Sequence, residues 1–272
     1  MKLFYSAFLA WAAGSAAAFA QTPVVSSGGI LNSASYATGQ PVTAGSLVSI
    51  FGTGLAATNA LGDSIPLSTS LAGVKVSFNG TLAPLSGVFH DPANGDQINA
   101  QVPWEVQNGT AQVVVTNASG ASSGPQSVQV GVAPGIFSTQ YGVGQAIAYG
   151  NANGLIAAAA GAIPGLTTAP AKIGDPATLV ILATGLGPVN PPVPTGSNVT
   201  DGQLHTCVTA PAVLVGGVSA QVVFAGLTPQ FVGVFQINIV IASGTPTGNA
   251  VPLQIQMNGM TTTNQVTIAV SN

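Results

Sequence analysis

Hydrophobic and polar residues alternate along most of the chain in short runs. Residues 73–78 (GVKVSF) place Val74, Val76 and Phe78 on one face, and Asn79-Gly80 follows directly. Because the side chains of a β-strand point alternately to the two faces of a sheet, this period of two predicts a strand with one buried face. An Asn-Gly pair beside such a run indicates a hairpin turn. Further strands are predicted at 46–51, 97–102, 110–116 and 126–132.

The second half of the chain repeats the plan of the first. Residues 48–55 (VSIFGTGL) match residues 179–186 (LVILATGL), and Gln-Ile-Asn occurs at 97–99 and again at 236–238. A repeat of this length indicates a duplicated domain. Each copy offers about seven short strands separated by turn signals, which is typical of a sandwich of the immunoglobulin type.

These patterns predict an all-β protein with two tandem immunoglobulin-like β-sandwich domains joined by a hairpin-containing linker. The predicted boundaries are residues 21–132 for the first domain, 133–172 for the linker and 173–272 for the second domain. The chain has one cysteine, Cys207, which cannot form a disulfide within the chain. Stability is therefore expected to come from packing and from sheet hydrogen bonds.

Residues 1–20 are predicted to be a secretory signal peptide. Lys2 provides a basic start, residues 3–18 are apolar or small, and Ala18-Phe19-Ala20 has the small-x-small form that signal peptidase cuts. Cleavage predicts a secreted protein, extracellular or at the cell surface, with the periplasm as a further location. No later segment is apolar over the roughly 20 residues that a membrane-spanning helix needs, so no membrane insertion is expected after cleavage.

The scarcity of charge excludes several classes of partner. The chain has six Asp and Glu residues, three Lys, no Arg and a formal net charge of −3 at pH 7. Binding to nucleic acid or to anionic lipid requires several Lys or Arg residues, so neither partner is expected. General acid–base catalysis needs positioned titratable groups, which are few here. We therefore expect no enzyme activity, no catalytic residues and no cofactor.

Several motifs occur in the order that one known family shows. They are Asn32-Ser33-Ala34-Ser35-Tyr36, Val102-Pro103-Trp104-Glu105, Ala133-Pro134-Gly135-Ile136-Phe137, Ala183-Thr184-Gly185-Leu186-Gly187-Pro188 and Phe224-Ala225-Gly226-Leu227. In these motifs, nearly the whole chain after residue 20 resembles the uncharacterised Solibacter C-terminal domain family of secreted acidobacterial proteins. The resemblance implies an extracellular module with two halves similar to IPT/TIG-type immunoglobulin folds. The family has no assigned activity, so the resemblance implies no site residues.

One loop gathers oxygen ligands of the kind that calcium prefers. Asp91, Asn94 and Asp96 lie close together beside His90. Two carboxylates fall short of the roughly 6 to 8 oxygens that Ca²⁺ takes, and the spacing is not that of an EF-hand. Because Asp-Pro and Asn-Gly pairs are also plain turn signals, we favour a turn over a calcium site here.

Trp104 and Tyr36 are the candidate ligand contacts. Exposed aromatic rings can stack on sugar rings, and Trp104 follows Pro103 at the end of a predicted strand. Most Phe residues fall in strand-like runs instead, so they are expected in the core. These two side chains are therefore the first positions to inspect for carbohydrate recognition.

Two further motifs carry chemistry in other proteins. Residues 120–124 (GASSG) fit the G-x-S-x-G pattern of hydrolases, but Pro125 and a predicted strand follow where that motif needs a helix. A polar hairpin turn is favoured. His205 and Cys207 provide two of the four ligands that a structural zinc site needs, so a surface loop and a partly buried thiol are favoured there.

Surface chemistry leaves three hypotheses for the role of the protein. After residue 20 only Lys75 and Lys172 are available to guard exposed sheet edges against pairing. The first hypothesis is a structural or interaction protein that self-associates, as a homo-oligomer or filament, in a cell-surface or matrix assembly through strand addition by residues 21–36. The alternative is a carbohydrate-binding or adhesion module whose partners are glycans or other surface proteins. A hydrolase is the weakest hypothesis.

Overall fold

The computed structural model describes residues 21–263 and 265–272, and within them the chain forms strands and turns with no α-helix. The predicted signal peptide lies outside the described residues. The chain is all-β and forms two tandem immunoglobulin-like sandwiches, so the predicted fold class is confirmed. In the described part of the chain, no helix is long and apolar enough to cross a membrane.

The first sandwich packs a five-stranded sheet against a four-stranded sheet. Its strands are β1 (Val24–Asn32), β2 (Leu47–Thr53), β3 (Ala60–Leu61), β4 (Lys75–Phe78), β5 (Thr81–Leu82), β6 (Leu85–Phe89), β7 (Asp96–Gln101), β8 (Gly109–Thr116) and β9 (Gln126–Val130). The strand orders are β1-β2-β7-β6-β3 and β5-β4-β8-β9. The predicted hairpin at Asn79-Gly80 is confirmed, since it joins the antiparallel strands β4 and β5, and both residues have positive φ.

The core of this sandwich follows the period-two pattern of its strands. Ile50 and Ile98 face each other across β2 and β7, and Val76 and Phe78 approach from the other sheet. All four side chains are fully buried. Burial of each such side chain stabilises the fold by about 1.5–3 kcal/mol relative to leaving it in water. The alternate positions of β2 and β7 are thereby turned outward.

The second sandwich contains the remaining strands. They are β10 (Gly135–Ile136), β11 (Ser138–Gln140), β12 (Val143–Ala146), β13 (Ala148–Gly150), β14 (Ala171–Lys172), β15 (Leu179–Thr184), β16 (Val189–Asn190), β17 (Thr206–Cys207), β18 (Ala212–Val215), β19 (Val218–Leu227), β20 (Phe235–Val240), β21 (Gly248–Met257), β22 (Met260–Thr261) and β23 (Gln265–Ser271). The long strand β19 pairs first with β18 and then with β20, so it passes from one layer to the other. The partner changes between Ala220 and Gln221, and the register with β20 then shifts between Val222 and Phe224.

Residues 133–172, predicted as a linker, lie within the second sandwich. Strands β10 and β13 pair with β15, while β12 and β14 run parallel to β23. The backbone N–H and C=O groups of these short strands pair with β15 and β23. As a free linker, the segment would leave these polar groups and the facing edges of β15 and β23 unpaired. The segment does contain a hairpin, formed by β11 and β12 with Tyr141 and Gly142 between them.

Buried polar side chains join the two sandwiches. The hydroxyl of Thr184, at the end of β15, donates to the Gly233 carbonyl at 2.7 Å and accepts the backbone N–H of Leu47 at 3.0 Å. The side-chain Oε1 of Gln101 accepts the Gly196 N–H at 2.7 Å. Both Thr184 and Gln101 are at most 1% exposed, and buried hydrogen bonds of this kind fix the orientation of the partners that they join.

Candidate functional site

The outward face of the five-stranded sheet carries a row of uncharged polar and aromatic side chains. In β2, Val48 and Ile50 point into the core, so Ser49 and Phe51 point outward. The register places Ser49 opposite Asn99 and Phe51 opposite Gln97. Residues that face each other across antiparallel strands lie on the same side of the sheet. The outward face therefore combines one aromatic ring with two amides and a hydroxyl.

A hydrogen-bond network fixes the amide of Asn99 on this face. Its Oδ1 accepts the Ser49 hydroxyl at 3.0 Å and the Gln97 Nε2–H at 2.7 Å. The Ser33 and Ser49 hydroxyls lie 3.0 Å apart and extend the network toward β1. The Nδ2 group of Asn99 has no hydrogen-bond partner among the described residues and is not buried. Because its oxygen is held by two donors, Asn99 presents two oriented N–H donors to the outside.

Two tyrosines from different sandwiches meet beside this network. Tyr36 follows β1 in the first sandwich, and Tyr141 occupies the turn of the β11–β12 hairpin in the second. Their rings are in edge-to-face contact, with centroids 5.4 Å apart and an interplanar angle of 85°. Tyr36 also lies 6.4 Å from the Phe51 ring, and Tyr141 is 77% exposed. The exposed Tyr141 ring therefore extends an aromatic border that starts on the sheet.

The turn that carries Tyr141 is seated closely on the first sandwich. Gly142 has φ +90°, and a Cβ at this position would overlap the carbonyl oxygen of Ser35. Only glycine combines this left-handed backbone with so close an approach. The Gly142 N–H also donates to the Ser138 hydroxyl at 2.8 Å, which holds the turn in this position. The position of Tyr141 beside Tyr36 is thus fixed by the backbone.

The two sandwiches enclose a cleft of about 360 Å³ at this place. Its size falls within the range of about 300–1,000 Å³ that is typical of small-molecule sites. The lining residues are uncharged throughout: Ser33, Ala34, Tyr36, Leu47, Ser86, Asn99, Phe137, Ser138, Thr139, Tyr141 and Gly142. The cleft therefore offers aromatic surface, amide and hydroxyl groups, and no electrostatic preference for an ion.

Trp104, the other candidate ligand contact, lies away from this cleft. Its ring covers Gly45 and packs against the core of the second sandwich, so it is only partly exposed. Its backbone N–H donates to the Thr195 hydroxyl at 3.0 Å. The indole N–H is buried without a partner among the described residues. Trp104 thus contributes to the junction of the two sandwiches, while the structure brings only Tyr36 to the cleft.

The loop at residues 90–96 uses its carboxylates internally. Asp96 is buried, and its Oδ2 accepts the N–H groups of Leu55 at 2.8 Å and Ala56 at 3.2 Å. Asp91 accepts two backbone N–H groups of its own turn and the Asn94 Nδ2–H at 2.7 Å. These bonds hold the pKa of Asp91 below its usual value, with the Asn94 amide as the largest cause. The carboxylates of Asp91 and Asp96 thus already accept protein hydrogen bonds, and the turn favoured by the sequence stays the preferred interpretation of Asp91, Asn94 and Asp96.

His205 and Cys207 have structural surroundings. His205 is buried, with Nδ1 2.6 Å from the Pro191 carbonyl oxygen and Nε2 3.1 Å from Asp201. The Gln203 N–H and the His205 ring lower the pKa of Asp201. Burial raises the pKa of the Cys207 thiol to about 12, so the thiolate is scarce at neutral pH. No group of three or more His, Cys, Asp or Glu side chains that could hold a metal occurs among the described residues.

The hydrolase-like motif at residues 120–124 lies in the connection between β8 and β9. Thr116 and Ser122 form an isolated antiparallel bridge, and the Ser123 hydroxyl accepts the Val115 N–H at 3.0 Å. The predicted hairpin turn is confirmed, since β9 follows the motif and a nucleophile elbow requires a helix at that point.

No protein-family model matches the chain, and no curated protein matches it. Among solved structures, the chain is similar to the Bacteroides ovatus mixed-linkage glucan utilization protein SGBP-B in complex with a heptasaccharide, at 14% identity and TM-score 0.32. The match covers 85% of this chain and 42% of that one, so the chain spans less than half of SGBP-B.

Two tandem immunoglobulin pairs are also similar to the chain. Tandem domains of titin match at 10% identity and TM-score 0.22, covering 86% of this chain and 95% of that one. DIP-gamma IG1+IG2 matches at 13% identity and TM-score 0.21, covering 93% and 99%. Similarity at this level carries no information on function.

Proposed function

We propose that this protein is a non-catalytic binding module that recognises an uncharged glycan in the cleft lined by Tyr36, Asn99 and Tyr141. One observation carries the proposal: an uncharged cleft in which aromatic rings border a prearranged amide. Sugars present C–H groups on one face of the ring and hydroxyls around its rim. Aromatic faces attract such C–H groups, and amides pair with the hydroxyls.

The electrostatics of the cleft favour a neutral ligand. A charged sugar would have to leave water without gaining an opposite charge, because none of the lining residues is ionisable at neutral pH. A neutral glycan loses only hydroxyl hydration, which Asn99, Ser86 and Ser138 can replace. Neutral polysaccharides or oligosaccharides are therefore the ligand class that the cleft fits.

The experiment is a glycan array on the purified protein, followed by calorimetry with the best neutral ligand. Tyr141→Ala and Asn99→Ala should each weaken binding about tenfold or more, because each removes a central contact from the cleft. Leu204→Ala is the matched control, since Leu204 is 71% exposed on a loop of the second sandwich. The proposal is rejected if Tyr141→Ala and Asn99→Ala bind the ligand as tightly as Leu204→Ala does, or if the array shows binding to acidic glycans only.

Trp104→Ala is not a suitable probe for this site. Trp104 fills the junction between the sandwiches, so its removal would alter the orientation of the domains as well as any ligand contact. Tyr141 is the better choice, because most of its ring is exposed and its loss creates no cavity in the core.

Self-association is the second candidate function, and the edge of the first sandwich favours it. Beyond its pairing with β8, strand β9 has one parallel bridge, between Val130 and Val42, so residues 126–128 present an uncharged edge. A groove of about 210 Å³ separates this edge from β1. Residues 24–32 already form β1 and pair with β2, so strand donation by residues 21–36 would require this strand to detach.

Light scattering over a range of protein concentrations tests this second candidate. Association through the β9 edge predicts dimers or larger species that Ser127→Lys abolishes, since Ser127 is exposed on β9 and a charge on an edge strand opposes pairing. A strictly monomeric protein at high concentration, at both low and high salt, would eliminate it.

A further inference from the structure

A second pocket lies at the end of the second sandwich that points away from the first. It opens where β15 begins, and β15 reaches the domain junction only at its other end, at Thr184. The pocket has a volume of about 180 Å³. Its floor is formed by Leu179, Ile239 and Ile241, which are core side chains at most 4% exposed. The aliphatic core of the second sandwich thus reaches the base of the pocket.

Thr178, on the wall of this pocket, is strained and unsatisfied. Its φ is +64°, a backbone conformation that is an outlier for a β-branched residue. Its hydroxyl is buried and has no hydrogen-bond partner among the described residues. Backbone strain of this kind clusters at active sites and ligand clamps. The strained residue lies in the turn that follows Asp175, since the Thr178 N–H donates to the Asp175 carbonyl at 3.3 Å.

Two opposite charges border the same pocket without pairing. Lys172 and Asp175 both line it, yet neither side chain forms an ion pair with another described residue. Asp175 uses one carboxylate oxygen to accept the Ala177 N–H at 2.8 Å, which leaves the other oxygen open. In a chain with three Lys and no Arg, a cation at a pocket rim is a rare feature.

We propose that this pocket binds a free α-amino acid with an aliphatic side chain. Lys172 pairs with the carboxylate of the ligand, Asp175 pairs with its ammonium group, and the side chain lies on Leu179 and Ile241. This site is separate from the glycan cleft and does not depend on it. The arrangement supplies an opposite charge for each end of a zwitterion and an apolar surface for its side chain.

Calorimetry with L-leucine and two of its derivatives tests each charge separately. Leucinamide lacks the carboxylate and N-acetylleucine lacks the ammonium group, so each should bind at least tenfold more weakly than leucine. Lys172→Gln and Asp175→Asn should each lower the affinity for leucine by a similar factor. Lys75→Gln and Asp63→Asn are matched controls on exposed positions of the first sandwich and should leave the affinity unchanged.

Thr178→Gly provides an independent readout. Glycine accepts the positive φ without strain, so the variant should unfold at a higher temperature. The turn that holds Asp175 becomes looser, so leucine should bind more weakly. The proposal is overturned if the unmodified protein does not bind leucine at millimolar concentration, or if leucine and both derivatives bind equally. Because these two results come from the natural chain, they stand even if a variant fails to fold.

Discussion

The carboxylate of Asp96 is predicted to be a major source of stability in the first sandwich. It is 3% exposed, and it accepts the N–H groups of Leu55 and Ala56 as well as contacting the His90 ring at 2.8 Å. Asp96→Ala would leave two buried N–H donors without an acceptor. Each unsatisfied donor costs about 1–3 kcal/mol, so we expect the two to lower the free energy of unfolding by about 2–6 kcal/mol. That is a large part of the ~5–15 kcal/mol that stabilises a typical domain.

Urea denaturation followed by circular dichroism measures this loss. Asp96→Asn retains an acceptor oxygen and should cost less than the alanine variant. Asp91→Asn is the matched control, because Asp91 lies on the surface of the same loop and its change should lower the free energy of unfolding far less than the loss of the buried Asp96 carboxylate. Calcium chloride should not shift the midpoint, since these carboxylates already accept protein N–H groups. A loss below about 1 kcal/mol for Asp96→Ala, or a calcium-dependent rise in the midpoint, would refute the reasoning.

Three further predictions concern reactivity, pH and the cleft. The Cys207 thiol, with its pKa raised to about 12 by burial, should react with iodoacetamide at pH 8 only after unfolding, as mass spectrometry would show. Asp91 and Asp201 have lowered pKa values, so their stabilising effect is present at neutral pH and is lost as the pH falls through those values. The melting temperature should therefore change little between pH 7 and pH 5 and drop below ~pH 4; a drop already at pH 6 would contradict this. Gly142→Ala should displace the hairpin from Ser35 and weaken glycan binding without unfolding the sandwiches, which calorimetry beside circular dichroism would test.

Much of the fold could be predicted because its determinants are local. The alternation at residues 73–78 and the Asn79-Gly80 turn specify a strand and a hairpin within a few neighbouring residues, and β4 and β5 form there. The Gln-Ile-Asn triplets at 97–99 and 236–238 place Ile98 and Ile237 in the two cores, each opposite an isoleucine of the adjacent strand. Local periodicity is sufficient for such features, since burial of alternate residues dictates them.

The candidate cleft could be predicted only in part, because it forms between distant segments. Tyr36 was accessible to sequence reasoning as an aromatic residue outside the strand-like runs, but its contact with Tyr141 depends on how the two sandwiches pack. The role of Asn99 depends on hydrogen bonds from Ser49 and Gln97, and only the register of β2 and β7 brings the hydroxyl opposite the amide. The repeat of Gln-Ile-Asn marked this position without revealing which of its residues faces outward.

The surroundings of Trp104 and the strands in residues 133–172 could not be predicted from local sequence. A tryptophan after Pro103 has the same local sequence whether it faces solvent or a second domain, and here the junction covers it. The short strands β10 to β14 are two to four residues long, so no periodicity can develop in them. They form strands because β15 and β23 provide hydrogen-bond partners, and these partners are brought beside them only by the tertiary fold.

Chemical-shift perturbation by nuclear magnetic resonance, with a neutral oligosaccharide titrated into the labelled protein, tests the central claim most directly. Binding in the cleft predicts shifts concentrated at Tyr36, Asn99 and Tyr141, from both sandwiches at once, and saturation of all three at the same ligand concentration. Saturable shifts confined to other surfaces, or no shifts with any neutral oligosaccharide, would contradict the claim that the cleft is a glycan site.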